Sequence, residues 1–182
     1  PREIRVAKVR RRVEEALDYR ERIAQIIGRS DAGLLRDHLH DTTQGISDWI
    51  ASIFRLAKRL DAYYGDPLIK RDTEAAPRAI KTLEARLRLE DDESVRQQIR
   101  VAIAGKRQQL ENLQRLENLM EKAEYQLETT LTALGTVYSQ LQLIQAKEIE
   151  GVRGRMIAER IRDQVNALQD ILTTMDELYG HS

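Results

Sequence analysis

Residues 113–144 read LQRLENLMEKAEYQLETTLTALGTVYSQLQLI. Apolar residues recur there in alternating steps of three and four, which is typical of a coiled-coil helix. No proline lies between positions 93 and 150, so we predict one long helix over that stretch. The predicted seam, polar only at Thr130, is Leu113, Leu116, Met120, Ala123, Leu127, Thr130, Leu134, Val137, Leu141 and Ile144.

Further apolar residues flank this seam and make it wider than a two-stranded coiled coil needs. They are Leu110, Leu119, Leu131 and Tyr138. A helix over residues 93–150 would be roughly 85 Å long at ~1.5 Å per residue, longer than a compact domain is wide. Either it projects, or shorter helices line it end to end. We favour the second arrangement, with a third helix on its first half and a fifth on its second.

The third and fifth helices show the same spacing on either side of the long helix. Asp72 or Thr73 is a predicted N-cap for the third helix. The acidic stretch 90–93 predicts a turn before the fourth helix, with a continuous helix as the alternative. Gly151 and Gly154 predict a turn before the fifth helix. The stripes are Ala76, Ile80, Leu83 and Leu87, then Ile157, Ile161, Val165, Leu168, Leu172, Met175 and Tyr179.

Two more helices precede the sequence Gly65-Asp66-Pro67, the clearest break in the chain. Gly28 is a predicted C-cap of the first helix, and Ser30 or Asp31 a predicted N-cap of the second. Such a short connection favours an antiparallel pair. Their stripes are Val6, Val9, Val13, Ala16, Ile23 and Ile27, then Leu35, Leu39, Thr42, Ile46, Trp49, Ile53, Leu56, Leu60 and Tyr63.

These patterns predict an all-α protein. The helices would form antiparallel helical hairpins or an elongated helical bundle with coiled-coil packing around one long helix. We expect an N-terminal helical hairpin over 1–64, a linker over 65–72 and a long-helix bundle over 73–182. A single domain that includes the hairpin is the alternative.

Three single residues carry local predictions. Gly45 costs about 1 kcal/mol inside a helix, which predicts a kink or frayed turn nearby. Gly135 also costs helix stability, and one explanation for it is the close approach of a neighbouring backbone. Trp49 lies in the second stripe, where core filling is the expected role and a ligand platform the alternative.

The composition excludes several functional classes. Lys plus Arg number 30 and Asp plus Glu number 30, so the net charge is zero, and there is no Cys. A chain without Cys has no disulfide framework, thiol nucleophile or thiolate metal site, and we expect a cytoplasmic protein. With only 9 Gly and 3 Pro the chain is not of the Pro/Gly-rich disordered class, and 33% charged residues together with a regular apolar repeat favour a helical bundle or coiled coil. No membrane-spanning stretch and no secretory signal are expected.

Candidate chemistry is sparse. Asp37, His38, His40 and Asp41 are the weak candidate metal ligands. On a helix His38 and His40 point about 200° apart, so one ion could not bind both. No serine lies in a nucleophile turn and no glycine-rich phosphate loop exists. We therefore expect neither an enzyme nor a cofactor, and no small-molecule substrate.

The N-terminus carries a basic cluster. Six cationic side chains and one carboxylate, Glu3, give the first twelve residues a net charge of +5. Such a helix could bind an anionic membrane or phosphates. Residues 111–150 hold seven Glu against three cations, so the first helix could instead pack beside the acidic long helix, within the molecule or on another copy. The cluster is Arg2, Arg5, Lys8, Arg10, Arg11 and Arg12.

From these features we expect a non-enzymatic helical scaffold or protein–protein interaction module that acts through coiled-coil seams. We expect it to bind another protein or to form a homo-oligomer. The alternative is a peripheral membrane-surface coiled coil that uses its basic amphipathic N-terminal helix. Nucleic acid is not expected, because no base-reading module accompanies the basic cluster.

Overall fold

A computed structural model describes the backbone of residues 3–29, 35–147 and 152–179. Within these residues the chain forms five α-helices and no strand, which confirms the predicted all-α helical bundle. The helices are α1 (Ala7–Arg29), α2 (Leu35–Gly65), α3 (Pro67–Leu89), α4 (Glu93–Lys147) and α5 (Val152–Tyr179). None of the described helices has an apolar stretch long enough to cross a bilayer. The side chains of 29, 35–43, 144–147, 152–155 and 178–179 lie outside the description.

The helices pack as two compact units. Unit 1 is Pro1–Ala62 with Lys122–Ser182, and unit 2 is Tyr63–Glu121. The unbroken helix α4 supplies its first part to unit 2 and its second part to unit 1. This division differs from the predicted one, because the packing partners change along α4. The predicted linker 65–72 is itself largely the start of α3.

Among the side chains that are described, unit 1 buries most of the predicted stripes of α1, α2 and α5 and of the second part of α4. Thr130, the polar member of the α4 seam, is fully buried. Its hydroxyl accepts from the amide of Gln126 at 3.4 Å and donates to Gln164 of α5 at 3.5 Å. The seam thus accommodates a polar residue because the side chain is hydrogen-bonded. The main core residues are Val9, Val13, Ala16, Ile23, Ile46, Trp49, Ile53, Leu56, Leu60, Ala123, Leu127, Leu134, Val137, Ile157, Ile161, Leu168 and Met175.

The segment before α1 is held by a carboxylate from α2. Asp61 accepts hydrogen bonds from the backbone N–H groups of Arg5 and Val6 at 2.8 and 2.7 Å. Ile4, immediately before them, is buried at 1% exposure. These contacts fix where the chain enters α1, because two backbone N–H groups find an acceptor and the neighbouring Ile4 side chain is buried.

Helix α3 begins earlier than the sequence predicted. Its N-cap is Asp66, whose carboxylate accepts from Leu68 N at 2.8 Å and Ile69 N at 3.4 Å, so the predicted caps Asp72 and Thr73 are wrong. Pro67 occupies the first helical position, where a residue without an N–H costs nothing. The Gly-Asp-Pro sequence therefore ends one helix and starts the next.

The α3–α4 hairpin closes at the predicted turn. Asp92 caps α4 by accepting from Ser94 N at 2.8 Å and Val95 N at 3.1 Å. Arg96 donates to the carbonyl of Glu90 at 2.9 Å, which satisfies the C-terminal end of α3. Buried residues between the two helices include Ala76, Ile80, Ile99 and Ile103. The third helix thus covers the first part of α4, as predicted.

Pro77 lies inside α3, beyond its first turn. Pro77→Ala should raise the free energy of unfolding by about 1–3 kcal/mol, because it restores a helical N–H donor and removes a ring clash, while the freer unfolded chain offsets part of the gain. Urea unfolding followed by circular dichroism at 222 nm measures the change. The reverse substitution at exposed Ala85 of the same helix should lower the stability. Loss of stability in Pro77→Ala would contradict the prediction.

Two glycines in helix interiors lie against side chains of neighbouring helices. A Cβ at Gly45 would lie 3.0 Å from Cγ2 of Ile161 in α5. A Cβ at Gly135 would lie 3.0 Å from the hydroxyl oxygen of Tyr19 in α1. The predicted neighbouring backbone at Gly135 is therefore corrected to a tyrosine side chain. Helix α2 is continuous through Gly45, so the glycine serves close packing there and not a break.

Candidate interaction surfaces

An ion-pair seam joins α1 to α4 inside unit 1. The ammonium of Lys8 lies 2.9 Å from a carboxylate oxygen of Glu124, and the guanidinium of Arg12 lies 2.6 Å from that of Glu128. Arg12 also donates to the backbone carbonyl of Glu124 at 3.2 Å. In each ion pair one side chain is partly buried and the other is exposed: Arg12 is 22% exposed and Glu128 59%, and Glu124 is 19% exposed and Lys8 58%. Solvent therefore reaches both pairs from one side and screens them in part. The basic first helix thus packs beside the acidic long helix within the molecule, one of the two predicted arrangements.

The remaining cations of the basic cluster do not enter this seam. Arg5 uses its backbone N–H to bind Asp61. Arg10 and Arg11 are exposed, and neither pairs with a carboxylate among the described residues. Arg2 lies outside the described residues. The structure therefore brings together two of the six predicted residues and leaves Arg10 and Arg11 in solvent.

We predict that Arg12→Ala lowers the free energy of unfolding by about 1 kcal/mol, because it removes a partly buried ion pair and a bond to a backbone carbonyl. The matched variants Arg10→Ala and Arg11→Ala should change it by less than about 0.5 kcal/mol. Thermal or urea unfolding at low salt and at about 1 M NaCl measures this, and the Arg12 effect should shrink in high salt. Equal losses of stability from all three substitutions would show that the ion pairs between α1 and α4 do not stabilise the fold.

The apolar side of α1 is enclosed in unit 1. Val9, Val13 and Ala16 are each no more than 2% exposed. An amphipathic helix binds a membrane by burying that side among the lipids. In this fold α1 would have to leave the bundle to do so, which weighs against the membrane-surface alternative.

The candidate metal ligands fall on the first turns of α2. The backbone is helical through residues 37–41, but the side chains of Asp37, His38, His40 and Asp41 lie outside the described part of the chain. Among the side chains that are described, no group of three His, Asp or Glu converges on one point.

A solvent-open groove of about 390 Å³ lies between α4 and α5 in unit 1. Thr132 and Thr136 donate their hydroxyl protons to backbone carbonyls one turn earlier, at 3.1 and 2.9 Å. Their oxygens therefore offer the groove acceptors, beside the carboxylate of Glu128. Arg160 and Gln164 of α5 add donors at the other wall. The lining residues are Glu128, Thr129, Thr132, Ala133, Thr136, Arg160 and Gln164.

Sequence reasoning missed a second surface, on the part of α4 that belongs to unit 2. Ile99 and Ile103 face α3, and Val101, between them, points about 160° away and is 64% exposed. The exposed residues on that side carry no formal charge, although 33% of the chain is charged. We call them the uncharged face: Ser94, Gln97, Gln98, Val101, Ala104, Gly105, Gln108 and Asn112.

Charges beside the uncharged face are paired within α4. Arg100 donates to Glu93 at 2.8 Å and to the side-chain oxygen of Gln97 at 3.3 Å. The hydrogen bond from Arg100, and its charge, hold the pKa of the Glu93 carboxyl below its ordinary value. Gln108 donates to Asn112 at 3.2 Å. The neighbouring charges are therefore satisfied without a partner, and the uncharged face offers amide donors and acceptors to another molecule.

The surfaces described above are identified from the structure of this chain. No family model, curated protein or solved structure matches it.

Proposed function

We propose that this chain is a non-enzymatic helical scaffold that binds another protein through the uncharged face of α4. The observation that supports this is the one-sided packing of α4 in unit 2. Unit 2 consists of α3, the first part of α4 and the last residues of α2, and the side of α4 away from α3 is exposed. In unit 1, by contrast, α4 packs with α1 and also with α5 through the Thr130–Gln164 bond.

The long apolar seam of α4 also supports the proposal. The sequence pattern predicts that the seam itself binds a partner, whereas here it supports binding indirectly. Met120, Leu127 and Leu134 are at most 1% exposed, so between positions 120 and 141 this seam is filled by the protein's own helices. A filled seam makes α4 rigid, and a rigid helix presents a neighbouring surface at low entropic cost. Binding would therefore use the face that the seam leaves open.

Position-specific cross-linking tests this function. A photoreactive amino acid is placed at Gln98, in the uncharged face, or at Ala85, an exposed and uncharged residue of α3 in the same hairpin. In the cell that naturally makes the protein, we expect a discrete adduct from position 98 and none from position 85. The adduct's mass distinguishes a second copy from another protein. Equal labelling from both positions, or none from position 98, would overturn the proposal.

A further inference from the structure

Gly105, in the uncharged face, differs from the other two glycines in helix interiors. The interior glycines Gly45 and Gly135 each lie so close to a neighbouring helix that a Cβ would meet a side chain at 3.0 Å. At Gly105, also inside a helix, a Cβ would meet nothing within 4 Å. Glycine weakens a helix, and a close neighbour is the usual compensation. Among the described residues no such neighbour lies over Gly105.

The distribution of charge indicates which partner fits over Gly105. When two copies meet about a two-fold axis, each surface meets itself, so any charge near the axis meets a like charge. The uncharged face satisfies this condition over residues 94–112. Beyond its ends the charges are opposite. The turn 90–93 carries four carboxylates. At the other end Arg115, which pairs with Glu111 of its own helix at 2.5 Å, is 63% exposed and so keeps donors open to solvent.

We propose that the uncharged face binds a second copy of this chain in antiparallel register about a two-fold axis near position 103. This inference rests on the proposed function and names its partner. Val101 then packs over Gly105 of the partner subunit, and the reverse contact is equivalent. The amides of Gln98 and Gln108 meet each other across the axis. A parallel pair would instead set Val101 against Val101 of the partner subunit and Gly105 against Gly105 of the partner subunit, with no side chain over either glycine.

The ends of this register bring opposite charges together. Counting outward from position 103, Arg115 lies opposite Asp91 of the partner subunit, within the acidic turn. The same contact recurs at the other end by symmetry. Antiparallel helices also oppose their dipoles, which a parallel pair would align. The charges, the glycine and the uncharged face thus agree on one arrangement.

Sedimentation velocity or light scattering of the full chain, from about 1 µM to about 1 mM, tests the inference. We expect the measured mass to double as concentration rises. Val101→Lys places two like charges beside the axis and should weaken association more than about tenfold. The matched variant Ala85→Lys should associate as the wild type does. Circular dichroism should show both variants folded, because both positions are exposed.

Engineered cysteines test the register, and the natural chain contributes none. An equimolar mixture of Val101→Cys and Gly105→Cys proteins should form a disulfide-linked dimer on mild oxidation. Either variant alone should not. Identical positions are offset by about 6 Å along the helices in addition to the separation of the two helix axes, and together these distances exceed the roughly 7 Å between Cα atoms that a disulfide spans. Linkage that is equal in the single-variant samples would overturn the antiparallel register.

Two outcomes separate this inference from the proposed function. A wild-type chain of single mass at every concentration would overturn binding of a second copy, while an adduct from position 98 to another protein would keep the scaffold proposal. Association that persists unchanged in Val101→Lys would show that the copies meet elsewhere and would also overturn the inference.

Discussion

Trp49→Ala should lower the free energy of unfolding by about 3–5 kcal/mol, the largest effect we expect from a single side chain. Trp49 is fully buried in unit 1, in the stripe by which α2 meets the bundle. Removing the indole loses its apolar burial and leaves a cavity in which the fixed helices can relax only in part. Urea unfolding followed by circular dichroism at 222 nm measures the loss, since the variant lacks the chain's single tryptophan.

Trp49→Phe is the matched control. The indole N–H of Trp49 has no acceptor among the described residues. A buried donor without a partner costs about 1–3 kcal/mol, and phenylalanine removes that cost while keeping much of the ring. We therefore expect Trp49→Phe to lose less than about 1.5 kcal/mol. A loss as large as that of Trp49→Ala would show that the N–H is satisfied in the folded protein.

The helices of the bundle were predictable because burial repeats with the period of the helix. Leu127, Leu134 and Leu168 were assigned to stripes by spacing alone, and each is fully buried. The start of α3 was not predictable in the same way. Asp66 and Asp72 are equally good capping residues in sequence, and the choice depends on which backbone N–H groups each carboxylate reaches.

The candidate surfaces were less predictable than the core. The charges of Arg12 and Glu128 suggested that α1 and α4 attract each other, but not whether within one molecule or between two. The uncharged face gave no signal, because Gln98 and Val101 become a surface only once Ile99 is known to face α3. Exposure depends on which side of a helix its neighbours cover, and the apolar period does not contain that information for polar residues.

Gly45→Leu is the second large expected effect, a loss of about 3 kcal/mol in the free energy of unfolding. Even a single added Cβ at Gly45 would lie 3.0 Å from Ile161 Cγ2, and Ile161 is 2% exposed and branched at Cβ. A branched side chain in a packed core has few rotamers to adopt. The leucine side chain extends well beyond Cβ, so it must push α2 and α5 apart or force itself and Ile161 into strained rotamers. Thermal and urea unfolding of the variant, with its native helix content checked by circular dichroism, measure the loss.

Alanine substitutions separate steric crowding at the two glycines from helix propensity. Gly45→Ala and Gly135→Ala gain the same helix preference, about 1 kcal/mol, and both place a Cβ 3.0 Å from a neighbour. At Gly135 the nearest atoms are the hydroxyl oxygen and Cζ of Tyr19, at 3.0 and 3.3 Å, the far end of a long and half-buried side chain that needs to shift by only a few tenths of an ångström. We therefore expect Gly135→Ala to be neutral or stabilising, and Gly45→Ala to be destabilising by about 1 kcal/mol, because Ile161 cannot yield. Gly135→Leu should be much worse than Gly135→Ala. Equal effects of alanine at the two positions would show that the mobility of the opposing side chain does not decide the cost.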